Sequence, residues 1–312
     1  MNELEIFKEK LNQIGIEEFA VIGTNRYRHP KYLESMKAYY NENQISGDFN
    51  TEDFNSIIVV LMNYNPGKFV LRNMSIGANE IDYHRVFKTK VQELSEICDL
   101  GKFAGFTDTG PLFDRTLALE AGLGFIGKNG CLINPKLGSF VFIGYIFTDK
   151  ILPLSEKKRV KNILCDSCRL CVKACPTKAL SNERFEPTKC QSHLTQKNVL
   201  SEEEESMIKS FYGCDICQKV CPYNKDKKIG MKEFRKFEDI TYNEIFLLPN
   251  REYKEKFYNR SFFWKSRKII KRNAILKAIN TDNFEIKDLI KIEKDKQNIY
   301  LARYIDLFEQ KF

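Results

Sequence analysis

Apolar positions along this chain alternate between two kinds of pattern. Ser56-Ile-Ile-Val-Val-Leu-Met62 and Phe140-Val-Phe-Ile-Gly-Tyr-Ile-Phe147 are short continuous runs, which mark buried strands. Phe19-Ala-Val-Ile-Gly23 is a shorter run of the same kind. Between them the spacing changes to that of helices. Val86, Val91, Leu94 and Ile97 predict a helix over 82–98, and 111–121 predicts another that Gly122 ends. Residues 1–20 read as an amphipathic, charged opening helix rather than a signal peptide. Strands alternating with helices predict an α/β or α+β domain. Far downstream, 266–280 and 297–312 predict two helices, one hairpin of a repeat-like α-helical segment. No apolar run of about 18 or more residues predicts a membrane span, so a cytoplasmic protein is expected.

Composition bounds these elements. The chain has 312 residues, 43% hydrophobic and 29% charged, enough for about two domains with real cores. That excludes a disordered, collagen-like or disulfide-dense secreted chain. The net charge of +8 is uneven. Residues 222–312 carry 22 Lys+Arg against 14 Asp+Glu, whereas residues 1–221 carry 28 of each. A basic run, Lys265, Arg267, Lys268, Lys271 and Arg272, follows Phe262, Phe263 and Trp264. Basic residues beside aromatics suit a nucleic-acid face, with tRNA a candidate, and equally suit an amphipathic helix with buried rings.

Eight of the ten cysteines lie between Cys165 and Cys221. The first run, Cys165-x2-Cys168-x2-Cys171-x3-Cys175-Pro176, has the spacing of bacterial ferredoxins, whose fourth cysteine serves the other cluster. The second, Cys190 and then Cys214-x2-Cys217-x3-Cys221-Pro222, is a half-motif with one ligand moved upstream. The count closes on two [4Fe–4S] clusters. Cys165, Cys168, Cys171 and Cys221 are assigned to the first, and Cys175, Cys190, Cys214 and Cys217 to the second. Structural zinc is the alternative and favours paired CxxC units instead. Cys98 and Cys131 read as buried apolar residues. Clusters carry electrons singly, so the residues ahead of them must supply a reactive partner. The Gly122–Gly130 segment superficially matches a dinucleotide fingerprint but follows a helix where a strand is required.

The combined motifs resemble one family. Asp82-Tyr-His84, Asp108-Thr-Gly-Pro-Leu-Phe-Asp-Arg115, Ala121-Gly-Leu-Gly-Phe-Ile-Gly-Lys-Asn129 and Asn134-Pro-Lys-Leu-Gly-Ser-Phe140 are similar to segments of the epoxyqueuosine reductases. So are Cys165–Leu180 and Tyr212–Asn224, and the likeness covers roughly residues 1–280. The resemblance implies a cobalamin-dependent oxidoreductase with two [4Fe–4S] clusters, related to reductive dehalogenases. Its reaction removes the epoxide oxygen of epoxyqueuosine at the wobble position of tRNA, the last step of queuosine synthesis. It implies Asp108 as the proton donor, and places Asp108, Gly110, Asn129, Ser139 and Ser192 near the corrinoid. Cobalamin is expected base-off, without a protein histidine ligand. His84 therefore reads as a packing or pocket residue, and Phe87 stands where a histidine-ligand motif needs glycine. His29 and His193 show no partner in sequence. A capping role for Asp108 at the helix near Pro111 is compatible with catalysis. Many members carry a longer C-terminal helical-repeat domain that helps hold tRNA, where this chain has a single expected hairpin.

The resulting expectation is threefold: a cobalamin-binding catalytic domain over 1–159, a ferredoxin-like double-cluster module over 160–224 and a basic helical segment over 225–312. The partners expected are epoxyqueuosine-bearing tRNA and a ferredoxin- or flavodoxin-like electron donor, with no membrane and a monomeric chain. Two rivals stand beside this reading. One is a corrinoid and iron–sulfur reductase of a small molecule, and the other is a non-catalytic two-cluster electron carrier.

Overall fold

The computed structural model describes residues 3–24, 51–68, 73–156, 160–181, 185–234 and 238–312. They gather into two compact units, each built from three stretches of chain. The first comprises 1–67, 83–167 and 223–233; the second comprises 68–82, 168–222 and 234–312. The three segments expected from sequence are thus carried by two units.

The first unit is built on a four-stranded sheet. β1 (Glu18–Gly23), β2 (Ser56–Asn63), β3 (Phe103–Thr107) and β6 (Val141–Thr148) lie in the order β1-β2-β6-β3. A short hairpin, β4 (Phe125–Ile126) with β5 (Leu132–Ile133), stands apart from it. Every pairing in the sheet is antiparallel, with Val59 opposite Tyr145 and Tyr145 opposite Phe106. Of the two classes expected, α/β and α+β, this selects α+β. The apolar runs were read correctly as buried strands, and all eight residues of β2 are buried. A continuous run reports covered faces, not strand direction.

Period-two alternation sorts the sheet's side chains. Ile57, Val59 and Leu61 on β2 join Ile143, Tyr145 and Phe147 on β6, with Leu117 and Ala118 of the helix Asp114–Glu120, in one core. The opposite face receives the helix Tyr83–Ile97. That face is bared by glycine: a Cβ at Gly144 would run into the Phe87 ring, and one at Gly105 would crowd Val91. Phe87 fills a slot that glycine would leave empty. Gly122 ends the Asp114 helix in a left-handed conformation, φ 71°, as expected of a helix terminator.

The second unit has a large helical core, with a smaller cluster of Cys175, Ala179 and Leu180 beside the cysteines. Phe211, Leu194 and Ile208 from the cysteine-bearing stretch share it with Phe246, Phe262, Ile270 and Phe308 from the C-terminal helices. The helices Arg267–Asn280 and Ile299–Lys311 fall where the spacing placed them, and they pack together. They do not form a lone hairpin. Lys287–Asp295 intervenes, and Tyr242–Phe246 and Asn250–Phe257 precede them. The acidic run at 202–205 opens a short helix capped by a reciprocal Ser201–Glu204 box. Among the described residues no helix is long and apolar enough to cross a membrane.

Candidate functional site

In the first unit, the chain leaves β3 beside a pocket of about 860 Å³ whose lining includes Tyr83, Asp108, Asp114, Arg115 and Phe142. Asp108 is the first residue past the strand and sits at φ 61°, the left-handed region that aspartate tolerates better than most residues. The Tyr83 hydroxyl donates to Asp108 Oδ2 at 2.9 Å. Tyr83 is itself held in a ladder of rings. It stacks on Phe142 at 4.3 Å and 11°, Phe142 stacks on Tyr64 at 4.2 Å, and His84 stacks on the other side of Tyr83 at 4.3 Å. His84 thus has the packing role expected of it. His29 lies outside the described residues.

The turn after Asp108 is pinned at several points. Thr107 Oγ1 donates to the Ile143 carbonyl at 2.7 Å, and the Leu112 N–H donates to the Tyr145 hydroxyl at 2.9 Å. Gly110 lies so close to Tyr145 that a Cβ would strike its hydroxyl. The structure therefore accounts for Gly110 by internal packing. The Asp108 N–H donates to Asp114 Oδ2 at 2.6 Å. This reverses the capping idea: the helix begins at Asp114, and it is the Asp114 carboxyl that captures the Asp108 amide. Burial, followed by the nearby Asp108 charge, pushes Asp114 up to about 7, against the opposing pull of the Asp108 N–H and Arg115. The residue was missed in the sequence. Its only signal there was an acidic side chain at the first helical position, six residues after Asp108.

The glycine-rich segment forms the β4–β5 hairpin. A Cβ at Gly124 would strike the Ile133 carbonyl, and Gly130 turns at φ 73°. These glycines serve close backbone approach within the hairpin, which explains the fingerprint-like pattern without a dinucleotide. Asn129 is buried; its Oδ1 accepts the Cys131 N–H at 3.2 Å, while its Nδ2 is buried without an acceptor. Ser139 is engaged by Asn224, whose Nδ2 donates to Ser139 Oγ at 2.9 Å. Ser192 belongs to the second unit, where its carbonyl accepts from Thr195 Oγ1 at 2.9 Å.

The second unit collects four thiols from distant stretches of sequence. Cys190 interacts electrostatically with Cys217 and Cys175, and Cys214 with Cys217 and Cys190. Cys171, which the spacing assigns to the other cluster, packs on the same small core as Cys175, Cys190 and Cys217. The short helices Leu170–Ala174 and Ile216–Lys219, carrying Cys171 and Cys217, pack on each other as two halves of a repeated motif. Burial pushes the Cys214 thiol up to about 12 and raises Cys190 as well, so loading a cluster there must expel protons. Among the described residues no three His, Cys, Asp or Glu side chains converge as around a single metal ion. A cubane spreads its thiolates over four irons, a wider cage than one ion's ligand shell.

One buried network spaces these thiols. Thr195 Oγ1, five residues beyond Cys190, accepts the N–H of Gly213, the neighbour of Cys214, at 2.9 Å. Asn273, fully buried on the Arg267–Asn280 helix, donates to the Thr195 and Phe211 carbonyls, each at 2.8 Å. Of the first cluster's assigned set, Cys168, Cys171 and Cys221 fall in the second unit and Cys165 in the first, where its sulfur accepts the Lys128 N–H at 3.3 Å. Cys98 is buried, as expected, whereas Cys131 is half-buried in the hairpin turn.

The basic run is largely spent inside the unit. Arg272 is fully buried and donates to Asn273 Oδ1 and the Asn198 carbonyl. Lys271 pairs with the buried Glu293 at 2.6 Å. Arg267 lies over the Tyr253 ring at 4.3 Å and donates to the Ile245 carbonyl. Lys268 is exposed and Lys265 half-exposed beside Trp264, which is 67% exposed. Helical periodicity turned half the charges inward, which a linear count of charge does not register.

Comparison with known proteins bears on both units. Residues 164–224 match the family described as a 4Fe-4S double cluster binding domain. An epoxyqueuosine reductase of Lactococcus garvieae is 38% identical over 224 residues, which cover 68% of this chain and 62% of that protein. One from Leadbetterella byssophila is 34% identical over 214 residues, covering 61% of this chain and 68% of that one. The chain spans 62%, 58% and 53% of the length of three such curated relatives. Among solved structures, an epoxyqueuosine reductase with an epoxyqueuosine-modified tRNA-Tyr stem loop is similar with TM-score 0.78 and 26% identity, covering 92% of this chain and 84% of that one. With two thirds of a relative covered at that identity, the chain belongs to the epoxyqueuosine reductase family.

Proposed function

We propose that this chain reduces epoxyqueuosine to queuosine in tRNA. The observation that carries the reading is Asp108, held on a left-handed turn at the pocket and hydrogen-bonded to Tyr83. Removing an epoxide oxygen as water takes two electrons and two protons. Charge develops on the oxygen as each C–O bond breaks, and Asp108 donates a proton to it. Tyr83, braced by its ring stack, orients the Asp108 carboxyl and defines one wall for the substrate.

The residues present fit cobalamin. The pocket beside Asp108 has a volume of about 860 Å³, and the Asn129 Nδ2, outside its described lining, is buried without an acceptor and would suit the amide-rich rim of a corrinoid. Bound cobalamin would supply the reducing centre for C–O cleavage. By resemblance to the family, Asp108, Gly110, Asn129, Ser139 and Ser192 are the residues proposed to contact it. Two [4Fe–4S] clusters would relay electrons from a ferredoxin- or flavodoxin-like donor. Cys175, Cys190, Cys214 and Cys217 hold one, and Cys165, Cys168, Cys171 and Cys221 the other; the electrostatic influence of Cys175 and Cys217 on Cys190 and of Cys217 and Cys190 on Cys214, and the matched 164–224 domain, support this. By role the chain divides at about 159 and 224. The tRNA substrate draws support from the family and from the relative seen with a modified stem loop.

The test is anaerobic turnover of an epoxyqueuosine-bearing stem loop by reconstituted protein, read as nucleosides by mass spectrometry. Cobalamin-dependent loss of one oxygen supports the reading. Absence of conversion with both clusters loaded and cobalamin bound would transfer the activity to a small-molecule substrate, the outcome that the internal basic run favours.

A further inference from the structure

The pocket holds a second carboxyl that the proton-donor reading does not use. Asp114 opens the helix Asp114–Glu120, and its Oδ1 is buried without a hydrogen-bond partner. Its Oδ2 points back along the chain to the Asp108 N–H, 2.6 Å away, and closes a six-residue turn. That turn contains the one left-handed residue of the pocket lining, Asp108 itself. An L-residue occupies that conformation at a cost, so something must hold it there. The neighbouring Thr109 N–H is spent on the Thr107 carbonyl at 2.7 Å, a three-residue turn centred on Asp108 that bends its backbone, and the Asp114 carboxyl takes up the Asp108 N–H that this turn leaves over.

We infer that Asp114 is a positioning residue whose carboxylate grips the Asp108 N–H and thereby aims the Asp108 carboxyl at the Tyr83 hydroxyl and the pocket. The inference rests on the reading of Asp108 as proton donor. An ionised carboxylate is the stronger acceptor, so the grip depends on the charge of Asp114. The groups facing Asp114 are Asp108, which opposes its ionisation, and Arg115, which favours it. Tyr83 faces Asp108 from its own helix, and the other described lining residues, threonines and apolar side chains, do not titrate near neutrality. Asp114 titrates near 7, so the grip tightens as pH rises through that value. The orphaned Oδ1 fits this purpose: a site built only for stability would pair it or replace it with an apolar group.

The experiment compares Asp114→Asn, Asp114→Ala and Asp114→Glu in the reconstituted holoenzyme with an epoxyqueuosine-bearing stem loop, from pH 5.5 to 8.5, together with hydrogen exchange of the 106–113 segment. Asp114→Ala is expected to lower kcat about 10- to 100-fold with KM within about 2-fold, because the donor is misplaced and not lost. Exchange at 106–113 should quicken in the same variant. Asp114→Asn is a neutral acceptor at every pH, so its kcat and its exchange at 106–113 should match those of the wild type at low pH, without the kcat inflection near pH 7. Asp114→Glu should restore part of that inflection. Wild-type kcat and wild-type exchange in Asp114→Ala would overturn the inference, as would an unchanged inflection in Asp114→Asn. If Asp114→Ala does not fold, the Asn variant decides alone. Asp108→Asn separates the two ideas. Normal turnover there removes the donor reading, and the exchange of 106–113 in the Asp114 variants still decides whether the grip exists.

Discussion

The aspartate pocket and the thiol cage solve opposite problems of placement. In the pocket, Asp108 and its holder Asp114 lie six residues apart, and a single turn closes the geometry. In the cage, Cys175, Cys190 and Cys214 come from three stretches of chain, and a helix some sixty residues further on must space them through Asn273. A proton donor needs its charge state set by a few neighbouring atoms. A cluster needs only soft ligands at fixed distances, so a remote buried network serves it as well as a local one. The pocket should therefore respond to charge and pH, and the cage to anything that loosens the core.

The largest effect should come from Cys214→Ser. One cluster is lost, iron falls from about 8 to about 4 atoms per chain, and turnover stops; full iron content would break the assignment. Asp108→Asn comes next. Turnover should fall roughly 10²- to 10⁴-fold with iron content and cobalamin binding unchanged. Retained turnover would leave the pocket without its acid.

Stability against pH sharpens the contrast further. The folded value of Asp114, about 7, lies above its ordinary 3.8. The folded protein therefore keeps this proton where the unfolded chain has lost it, and stability falls as pH rises from about 4 to about 7. Relative to wild type, Asp114→Asn should gain up to about 4 kcal/mol between pH 4 and pH 8, measured by denaturant unfolding of the cluster-free protein. A constant difference across that window would show that burial costs Asp114 nothing. Asn273→Ala leaves the Thr195 and Phe211 carbonyls unpaired in the core and should cost about 3 kcal/mol. It should also weaken the second cluster, seen as iron loss to a chelator, whereas the pH profile of kcat stays put. Gly144→Ala forces a methyl group against Phe87 and should cost about 1–3 kcal/mol by the same unfolding measurement, with iron content unaffected.

How much of this was legible in the sequence follows from the same contrast. Cysteine spacing is chemistry written in one dimension, so the cluster-binding stretch, matched at 164–224, was readable before any fold. The runs at 56–62 and 140–147 were readable as strands because every residue after Ser56 in the first, and all but Gly144 in the second, is hydrophobic. β3, Phe103–Thr107, was not: it is short, contains Gly105 and is exposed at alternate positions. Asp114 escaped notice because nothing in its type distinguishes a sunken carboxyl from a helix-start acid. Its raised pKa is a property of burial, which appears only in the folded chain. The basic run misled for a related reason, since Arg272 and Lys271 face inward and only the folded helix reveals which charges remain outside.

The division of each unit into three stretches has a consequence for biosynthesis. Asn63 and Asn65 on the first unit are tied by backbone and side-chain bonds to residues 228–231. A ribosome must therefore have made every cysteine of the double-cluster stretch before the first unit can finish closing. During that interval the thiols are synthesised but not yet enclosed, and the last helices that would space them are still to come. Cluster assembly on this chain is thus a race between metal delivery and thiol oxidation that begins on the ribosome, and its yield should depend on iron supply and oxygen at the moment of synthesis more than on the finished protein's stability.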